Sequence, residues 1–113
     1  MKLVYVAGRY RGWSPEATKA NIKNAQYHGI LLCERGFMPV IPHCNTAGFE
    51  LLTDAVDQDF WLDGTMELMR RCDYVLMVPG YNQSDGAIQE MIEAERLHLP
   101  IFYDARSIPD ESD

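Results

Sequence analysis

Short apolar runs alternate with longer helix-like segments along the whole chain, and this alternation restricts the possible folds more than any other feature. Strands are predicted for the apolar runs at 3–7, 37–41, 73–78 and 100–103. Helices are predicted for the segments between them, at Pro15–Glu34, 54–71 and 86–97. Apolar strands that alternate with helices form a parallel sheet covered on both faces. The sequence therefore predicts the α/β class, as one small doubly wound (flavodoxin- or Rossmann-like) domain with a parallel sheet of four to five strands.

Local residue chemistry places the ends of these helices and their buried faces. Ser14 is a typical N-cap, Pro15 suits the first helical position, and Gly36 ends the first helix. The second helix is expected either whole or in two pieces around Gly64. Apolar residues of two helices are expected to face the sheet: Ala17, Ile22, Ala25, Ile30 and Leu31 from the first, and Ile88, Met91, Ile92 and Ala94 from the third.

Length and composition fit one packed domain. The chain has 113 residues, of which 47% are hydrophobic, and this predicts a folded unit over 1–104 followed by a loose acidic tail at 105–113. No run approaches the ~20 apolar residues of a membrane span, so no membrane partner is expected. Three cysteines without a Cys-x-x-Cys pair, and three scattered histidines, predict neither disulfides nor a metal site and favour a cytoplasmic location.

The charge balance restricts the kind of partner. The net charge of -7, with no basic patch, argues against a nucleic-acid polymer as a partner. A small anion remains compatible with this charge, because two arginines and several backbone amides can concentrate positive potential in one pocket. We therefore expect a small-molecule ligand.

Three loops follow predicted strands, and ligands of doubly wound domains bind at that edge of the sheet. The loops are 8–13, 42–45 and 79–85. The first is either an anion-binding loop or a solvated turn, and it contains Gly8, Arg9, Arg11 and Gly12. Tyr10 in that loop either packs on the sheet or hydrogen-bonds a carboxylate, and His43 in the second loop is either part of a site or a satisfied loop histidine.

The third loop leads into a helix that carries further candidates. Ser84 is either a simple N-cap or a hydroxyl donor to an anion at the helix N-terminus, where the free N–H group of Gly86 would also lie. Asp85 either complements the helix dipole or belongs to the site. Glu90 faces either the sheet or solvent, and Asp63 in the preceding helix is either a break or a functional acid.

Nearly the whole chain resembles, at low but ordered similarity, the nucleoside 2-deoxyribosyltransferase superfamily. The stretch "AGRYRG" is similar to that family's first loop, and "RRCDYVLMVPGYNQSDGAIQEMIEAERLHLPIFYD" is similar to its closing half. The motifs are closest to the branch of 2'-deoxynucleoside 5'-monophosphate N-glycosidases, which includes small phage and bacterial members. That branch's Gly-x-x-Arg-Gly is matched by Gly8, Arg11 and Gly12, and its Ser-x-Gly-x-x-x-Glu by Ser84, Gly86 and Glu90.

The resemblance implies a role for each matched residue. It implies that Glu90 is the nucleophile at the anomeric carbon of a deoxyribose, oriented by Tyr10. The acid that protonates the leaving base is implied at Asp63, with Thr65 as the other possible register and Asp85 as the other aspartate to consider. The residues implied to hold the nucleotide and its 5'-phosphate are Gly8, Arg9, Arg11, Gly12, His43, Ser84, Asp85 and Gly86.

The resemblance also bears on cofactors and assembly. It implies no cofactor, because a glutamate and an acid carry the reaction. It implies a homodimer or higher homo-oligomer, because neighbouring subunits often complete sites in this superfamily. The chain departs from the family pattern in having Ile88 where a glycine is common, the extra acid Asp85, and the bulky Arg9.

Three functional hypotheses follow from these residues. The first is an enzyme that hydrolyses or exchanges the N-glycosidic bond of a 2'-deoxynucleoside 5'-monophosphate. The second is a protein that binds a nucleotide or a nucleotide-derived signal without turning it over, and Ile88 and Asp85 favour it. The third is a structural interaction domain, which leaves the clustering of Arg11, Ser84 and Glu90 at strand ends unexplained.

Overall fold

The computed structural model describes residues 1–110, in which short strands and helices alternate along the chain. The strands and helices are β1 (Leu3–Ala7), α1 (Pro15–Glu34), β2 (Met38–Val40), α2 (Pro42–Asn45), α3 (Gln58–Arg70), β3 (Tyr74–Met77), α4 (Asp85–Arg96) and β4 (Ile101–Phe102). Short 3₁₀ turns occupy Phe49–Leu51, Tyr81–Gln83 and Ala105–Ser107. The predicted α/β class is confirmed, and all the strands are shorter than or equal to the runs predicted for them.

The four strands form one parallel sheet in the order β2-β1-β3-β4. From β1 the chain crosses over to β2 at one side, and it then returns past β1 to form β3 at the other side. The direction of winding therefore reverses between β1 and β3, whose central residues Val6 and Leu76 are paired. The loops that leave these two strands diverge, and a crevice opens between them.

Alternate residues of the central strands enter two separate cores, one on each face of the sheet. In β1, Val4 and Val6 pack in the core that α1 covers, whereas Tyr5 and Ala7 lie in the core that α3 and α4 cover. Tyr5 is completely buried. Because a buried tyrosine hydroxyl needs a hydrogen-bond partner, its position on the α4 side of the sheet matters for the site.

Helix α1 begins and ends where the sequence predicts. The Ser14 hydroxyl accepts a hydrogen bond from the Ala17 N–H at 3.2 Å, and Gly36 follows the helix with a φ of +85°. Its buried residues are Ala25, Gly29 and Leu32. The prediction of an inward Ile30 is wrong, because the residue next to Gly29 is rotated about 100° away from the buried stripe and lies exposed.

Helix α3 is continuous and begins later than predicted. The Asp57 carboxylate accepts a hydrogen bond from the Phe60 N–H at 3.0 Å, and this cap sets the start at Gln58 instead of 54. Gly64 lies inside the helix without a break. In α4 the inward residues are Ala87, Glu90 and Ala94, so the prediction of an inward Ile92 is wrong.

The segment after β4 is packed instead of loose. Ala105 and Ile108 are buried in the core under α1, and the Arg35 guanidinium donates a hydrogen bond to the Ala105 carbonyl. Two apolar side chains of an acidic stretch thus pack into this core. The prediction of a loose tail is wrong for 105–108, and residues 111–113 lie outside the described part of the chain.

Candidate active site

A cavity of about 370 Å³ lies where the loops after β1 and β3 diverge. All three loops predicted to form a site contribute to its wall. The predicted site residues that line it are Gly8, Arg9, Tyr10, Arg11, His43, Ser84, Asp85, Gly86 and Glu90. Two predicted site residues, Gly12 and Asp63, are not part of the lining. The structure therefore brings most of the candidates into one place.

Glu90 is a buried carboxyl group in the wall of this cavity. It lies on the same side of α4 as Ala87 and Ala94, so it faces the sheet, and only 6% of its surface is exposed. The Tyr5 hydroxyl donates a hydrogen bond to Glu90 Oε2, and the Thr65 hydroxyl, which donates to the Leu62 carbonyl at 2.9 Å, lies near the carboxyl group. The question of which way Glu90 faces is thus settled by the position of α4 over β1.

The surroundings of Glu90 favour its neutral form. Burial raises the pKa of Glu90 to about 7, and the hydrogen bond from Tyr5 and the nearby Thr65 hydroxyl lower it only in part. Burial, and then the charge of Glu90, raise the pKa of Tyr5 well above its ordinary value, so this phenol stays protonated and remains a donor. Near neutral pH, Glu90 is therefore present both as an acid and as a sparsely solvated carboxylate.

Tyr5, and not Tyr10, is the tyrosine that holds Glu90. The Tyr10 hydroxyl donates to Glu50 Oε1 at 3.0 Å and accepts from the Gly48 N–H at 2.9 Å. Tyr10 lies in the loop beyond β1, whereas Tyr5 lies within the strand that α4 covers, and this explains the difference. The alternation of β1 and the need of a buried hydroxyl for a partner were the signals that could have identified Tyr5.

Asp63 lies on the exposed side of α3, away from the cavity. The residues of α3 that line the cavity are Gln58, Trp61, Leu62 and Thr65, which follow the i, i+3, i+4, i+7 spacing of one helix face. Asp63 falls outside that face because α3 continues through Gly64 without a break. Of the two positions considered for the acid in this helix, Thr65 is the one that reaches the cavity and Glu90.

Two glycines of the first loop are required for packing. A Cβ atom on Gly8 would lie 2.4 Å from Cγ2 of Val78, the buried residue that follows β3, so a side chain there would clash. A Cβ atom on Gly12 would lie 2.4 Å from the Ala17 Cβ, and its N–H group donates to Thr18 Oγ1 at 3.0 Å. Gly12 therefore joins the loop to α1 and does not reach the cavity.

The arginines of this loop supply positive charge beside α4. The Arg9 guanidinium donates to the Arg11 carbonyl at 3.1 Å and, more weakly, to Gln83 Oε1 at 3.4 Å. Arg11 lines the cavity and its side chain is exposed. Within residues 1–110 neither arginine forms an ion pair, so both charges are available to an anionic ligand.

His43 fixes the shape of the first loop. Its Nε2 lies 2.9 Å from the Arg9 carbonyl oxygen, which can only accept, so Nε2 carries the proton and donates. Burial lowers the pKa of His43, and the imidazole is therefore neutral at pH 7. Its Nδ1 is buried and has no hydrogen-bond partner among the described residues.

Ser84 is both an N-cap and part of the cavity wall. Its Oγ accepts from the Ala87 N–H at 3.1 Å, which satisfies one of the free donors at the start of α4. The hydroxyl hydrogen is still able to donate to a ligand. At Gly86 an added Cβ would meet only Ser84 Oγ, at 3.9 Å, so the backbone there is open to the cavity.

A second part of the wall comes from the segment between α2 and α3, which was not predicted from the sequence to be part of the site. It contributes Thr46 and Glu50, and the start of α3 adds Gln58 and Trp61. Trp61 packs edge-on against Phe49, with ring centroids 6.2 Å apart. No motif marks this segment in the sequence, because it is irregular, and the contact of Glu50 with Tyr10 joins residues 40 positions apart.

Residues 1–110 contain no group of three or more His, Cys, Asp or Glu side chains placed to hold a metal ion. In the same part of the chain, no helix has both the length and the hydropathy needed to cross a bilayer.

Comparison with known proteins places the chain in a family. Residues 2–104 match the model of DUF7768, described as a domain of unknown function. The chain belongs to the DUF7768 family. No curated protein matches this DUF7768 chain.

One solved structure that is similar to the DUF7768 chain is the 2-deoxyribosyltransferase from the psychrotolerant bacterium Bacillus psychrosaccharolyticus. The TM-score is 0.62 at 17% sequence identity, and the match covers 88% of this chain and 69% of the other. At this identity the likeness establishes a shared fold.

Proposed function

We propose that the protein hydrolyses or exchanges the N-glycosidic bond of a 2'-deoxynucleoside 5'-monophosphate, with Glu90 as the nucleophile. The observation that carries the proposal is the buried carboxyl group of Glu90, held by the Tyr5 hydroxyl in the wall of a cavity at the switch point of the sheet. A solved enzyme of the same fold is a 2-deoxyribosyltransferase, and this supports a deoxyribosyl group as the substrate.

The proposed reaction has two steps. The Glu90 carboxylate attacks C1' of the sugar, the C1'–N bond breaks, and the base leaves with the bonding electron pair. Water, or a second base in the exchange reaction, then displaces Glu90 from C1'. The leaving base takes a proton from an acid or from water, and Asp85 is the aspartate of the two considered that lines the cavity.

The 5'-phosphate is proposed to bind at the start of α4. The groups offered there are the Arg11 guanidinium, the Ser84 hydroxyl and the N–H groups at the N-terminus of the helix. Arg9 is joined to the same region through Gln83. The exposed carboxylate of Asp85 opposes an anion at this place, so the affinity for phosphate rests on the balance between Asp85 and the arginines.

Chromatography of the base released from a panel of deoxynucleoside monophosphates tests this function. Wild type is expected to release a base, and Glu90→Gln is expected to release none. Glu95→Gln is the matched control, because Glu95 is an exposed glutamate of the same helix and does not line the cavity. Equal release by the wild type and Glu90→Gln proteins would exclude Glu90 as the nucleophile.

A second candidate is a protein that binds a nucleotide or nucleotide-derived signal without reacting with it. It is favoured by the pKa of about 7 at Glu90, because a large share of this group is then protonated and not nucleophilic at neutral pH. This candidate predicts that one nucleotide raises the melting temperature of wild type and Glu90→Gln alike, while no base is released by either protein.

We also propose that the protein forms a homodimer or a higher homo-oligomer. Large apolar side chains are exposed on the segment that forms the second part of the cavity wall: Phe49, Leu51, Leu52 and Phe60. A second copy of the chain would cover these residues and narrow the cavity mouth.

A further inference from the structure

We infer that Glu50 recognises the base of the nucleotide by accepting hydrogen bonds from an exocyclic amino group, and so selects amino-bearing bases over thymine and uracil. The inference rests on the proposed function for the identity of the ligand. Glu50 belongs to none of the sequence motifs, and the inference gives it the role of selecting among 2'-deoxynucleoside 5'-monophosphates.

The two parts of the cavity wall differ in chemistry. The part made by the first loop and the start of α4 is rich in positive charge and in N–H donors, and Arg9 and Gln83 connect these two elements. The part made by the α2–α3 segment and the start of α3 is aromatic and acidic, with Glu50 and Trp61 in its wall. A nucleotide whose phosphate binds the first part places its base against the second.

Glu50 is oriented instead of being a free surface charge. The Tyr10 hydroxyl donates to its Oε1 at 3.0 Å, and the same hydroxyl accepts from the Gly48 N–H at 2.9 Å. This chain of two hydrogen bonds ties the carboxylate to the first loop and to the backbone of its own segment. Within residues 1–110 no arginine or lysine pairs with Glu50, so its remaining lone pairs are available to a ligand.

The chemistry of a carboxylate determines which base it accepts. An ionised carboxylate has acceptors and no donor, so it matches the N–H groups of the amino substituents on adenine, cytosine and guanine. Thymine and uracil offer one ring N–H between two carbonyl oxygens, and those oxygens repel a carboxylate. Trp61 supplies an aromatic surface that tolerates any base, so the discrimination falls to Glu50.

Binding of matched nucleotide pairs tests the inference. The pairs are dGMP with dIMP, which differ only by the 2-amino group, and dCMP with dUMP, in which a carbonyl oxygen replaces the amino group and N3 gains a proton. Dissociation constants are measured by calorimetry with Glu90→Gln protein, which is not expected to consume the ligand, and with the same protein carrying Glu50→Gln. The amino-bearing member of each pair is expected to bind roughly tenfold to hundredfold tighter, and Glu50→Gln is expected to remove most of that ratio.

Two further variants separate recognition from a general charge effect. Asp85→Asn removes the exposed carboxylate of the cavity, and it is expected to strengthen the binding of all four nucleotides by a similar factor. Tyr10→Phe removes the hydrogen bond that orients Glu50, and it is expected to reduce the ratios in the same direction as Glu50→Gln.

The outcomes distinguish this inference from the proposed function. Three outcomes would overturn the inference. They are ratios of dissociation constants that Glu50→Gln leaves unchanged, a preference for dUMP and dIMP, and binding of none of the four nucleotides. Base release by the wild type without any preference between members of a pair would overturn it and leave the proposed function intact. A preference that Glu50→Gln abolishes, without base release by the wild type, would uphold it and overturn the hydrolysis.

Discussion

At the scale of single residues, Glu90 couples the stability of the fold to pH. Its pKa is about 7 in the folded protein, against an ordinary value of 4.5, so the folded state binds this proton more tightly than the unfolded chain. The stabilisation of the folded state by this proton is therefore fully present below about pH 4.5 and is lost as the pH rises through about 7. A shift of this size is worth about 3 kcal/mol of the free energy of unfolding.

Urea unfolding at pH 5 and pH 8 measures this coupling. Wild type is expected to lose between about 2 and 3 kcal/mol relative to Glu90→Gln between these two pH values, because glutamine does not titrate. Glu95→Gln is the control and is expected to follow the wild-type profile, since Glu95 is exposed. Parallel profiles for wild type and Glu90→Gln would show that Glu90 is not buried as described.

The same titration predicts the pH dependence of the proposed reaction. The nucleophile must be ionised, so kcat/KM is expected to rise with pH and to level off above about 7. The Tyr5 hydrogen bond lowers the pKa of Glu90, so Tyr5→Phe is expected to move the rising limb to higher pH as well as to reduce kcat. Tyr10→Phe leaves the hydrogen bond between Tyr5 and Glu90 in place, so the rising limb of its kcat/KM profile is expected at the same pH as in wild type. If Tyr5→Phe does not shift the rising limb, Tyr5 does not position Glu90.

The sequence identified residues whose type and place in a motif both pointed to a site. Glu90, Ser84 and Arg11 were predicted in this way, and all three line the cavity. Tyr5 and Glu50 were not predicted, because one looks like an ordinary strand residue and the other lies in a segment without a motif. Their proximity to the site depends on how α4 packs on β1 and how Tyr10 reaches Gly48, which are tertiary contacts.

At the scale of elements, the two capped helices offer a matched pair. Ser14 caps α1 and Ser84 caps α4, each by accepting from the N–H three residues later, at 3.2 Å and 3.1 Å. Each serine-to-alanine change is expected to cost about 1 kcal/mol of the free energy of unfolding. Only Ser84 lines the cavity, so only Ser84→Ala is expected to weaken nucleotide binding, by roughly tenfold for one lost hydrogen bond.

Thermal unfolding and calorimetry on the two variants check this expectation together. Equal losses of stability with a selective loss of affinity in Ser84→Ala would separate the capping role of Ser84 from its role toward the ligand. The same loss of affinity in Ser14→Ala would mean that the affinity follows stability, and it would contradict a direct contact between Ser84 and the ligand.

Helix ends were predictable where a cap and a breaker agree, and they were not where several polar residues compete. At α1, Ser14, Pro15 and Gly36 all indicate the same limits, and the helix is as predicted. Before α3, both Asp54 and Asp57 are suitable caps, and only the structure shows that Asp57 accepts from the Phe60 N–H. The resemblance left the register of α3 open between Asp63 and Thr65, and only the structure shows that Thr65 is the one on the cavity face.

At the scale of the whole molecule, the alternation of strands and helices was sufficient to predict the doubly wound fold and the edge at which the cavity lies. It did not predict that Ala105 and Ile108 complete the core under α1. The acidic composition of 105–113 concealed these two apolar residues, and their burial depends on tertiary contacts with the core under α1 that no local pattern describes.

The exposed apolar residues of the α2–α3 segment lead to a prediction about assembly. Leu51 and Leu52 are each 83% exposed beside the cavity wall, and burying two such side chains between subunits is worth about 3 kcal/mol or more to each protomer. Light scattering coupled to size-exclusion chromatography is expected to give at least twice the 12.9 kDa mass of one chain.

The double change Leu51→Glu and Leu52→Glu is expected to shift this mass toward that of the monomer, because burying two carboxylates at an interface is costly. Ile30→Glu is the matched control, since Ile30 is an exposed apolar residue of α1 that does not line the cavity. A wild-type mass of one chain at micromolar concentration would contradict the assembly. A mass that both the double change and the control reduce equally would place the interface elsewhere. If the double change gives a folded monomer that also loses base release, the second subunit is needed to close the cavity that contains Glu90.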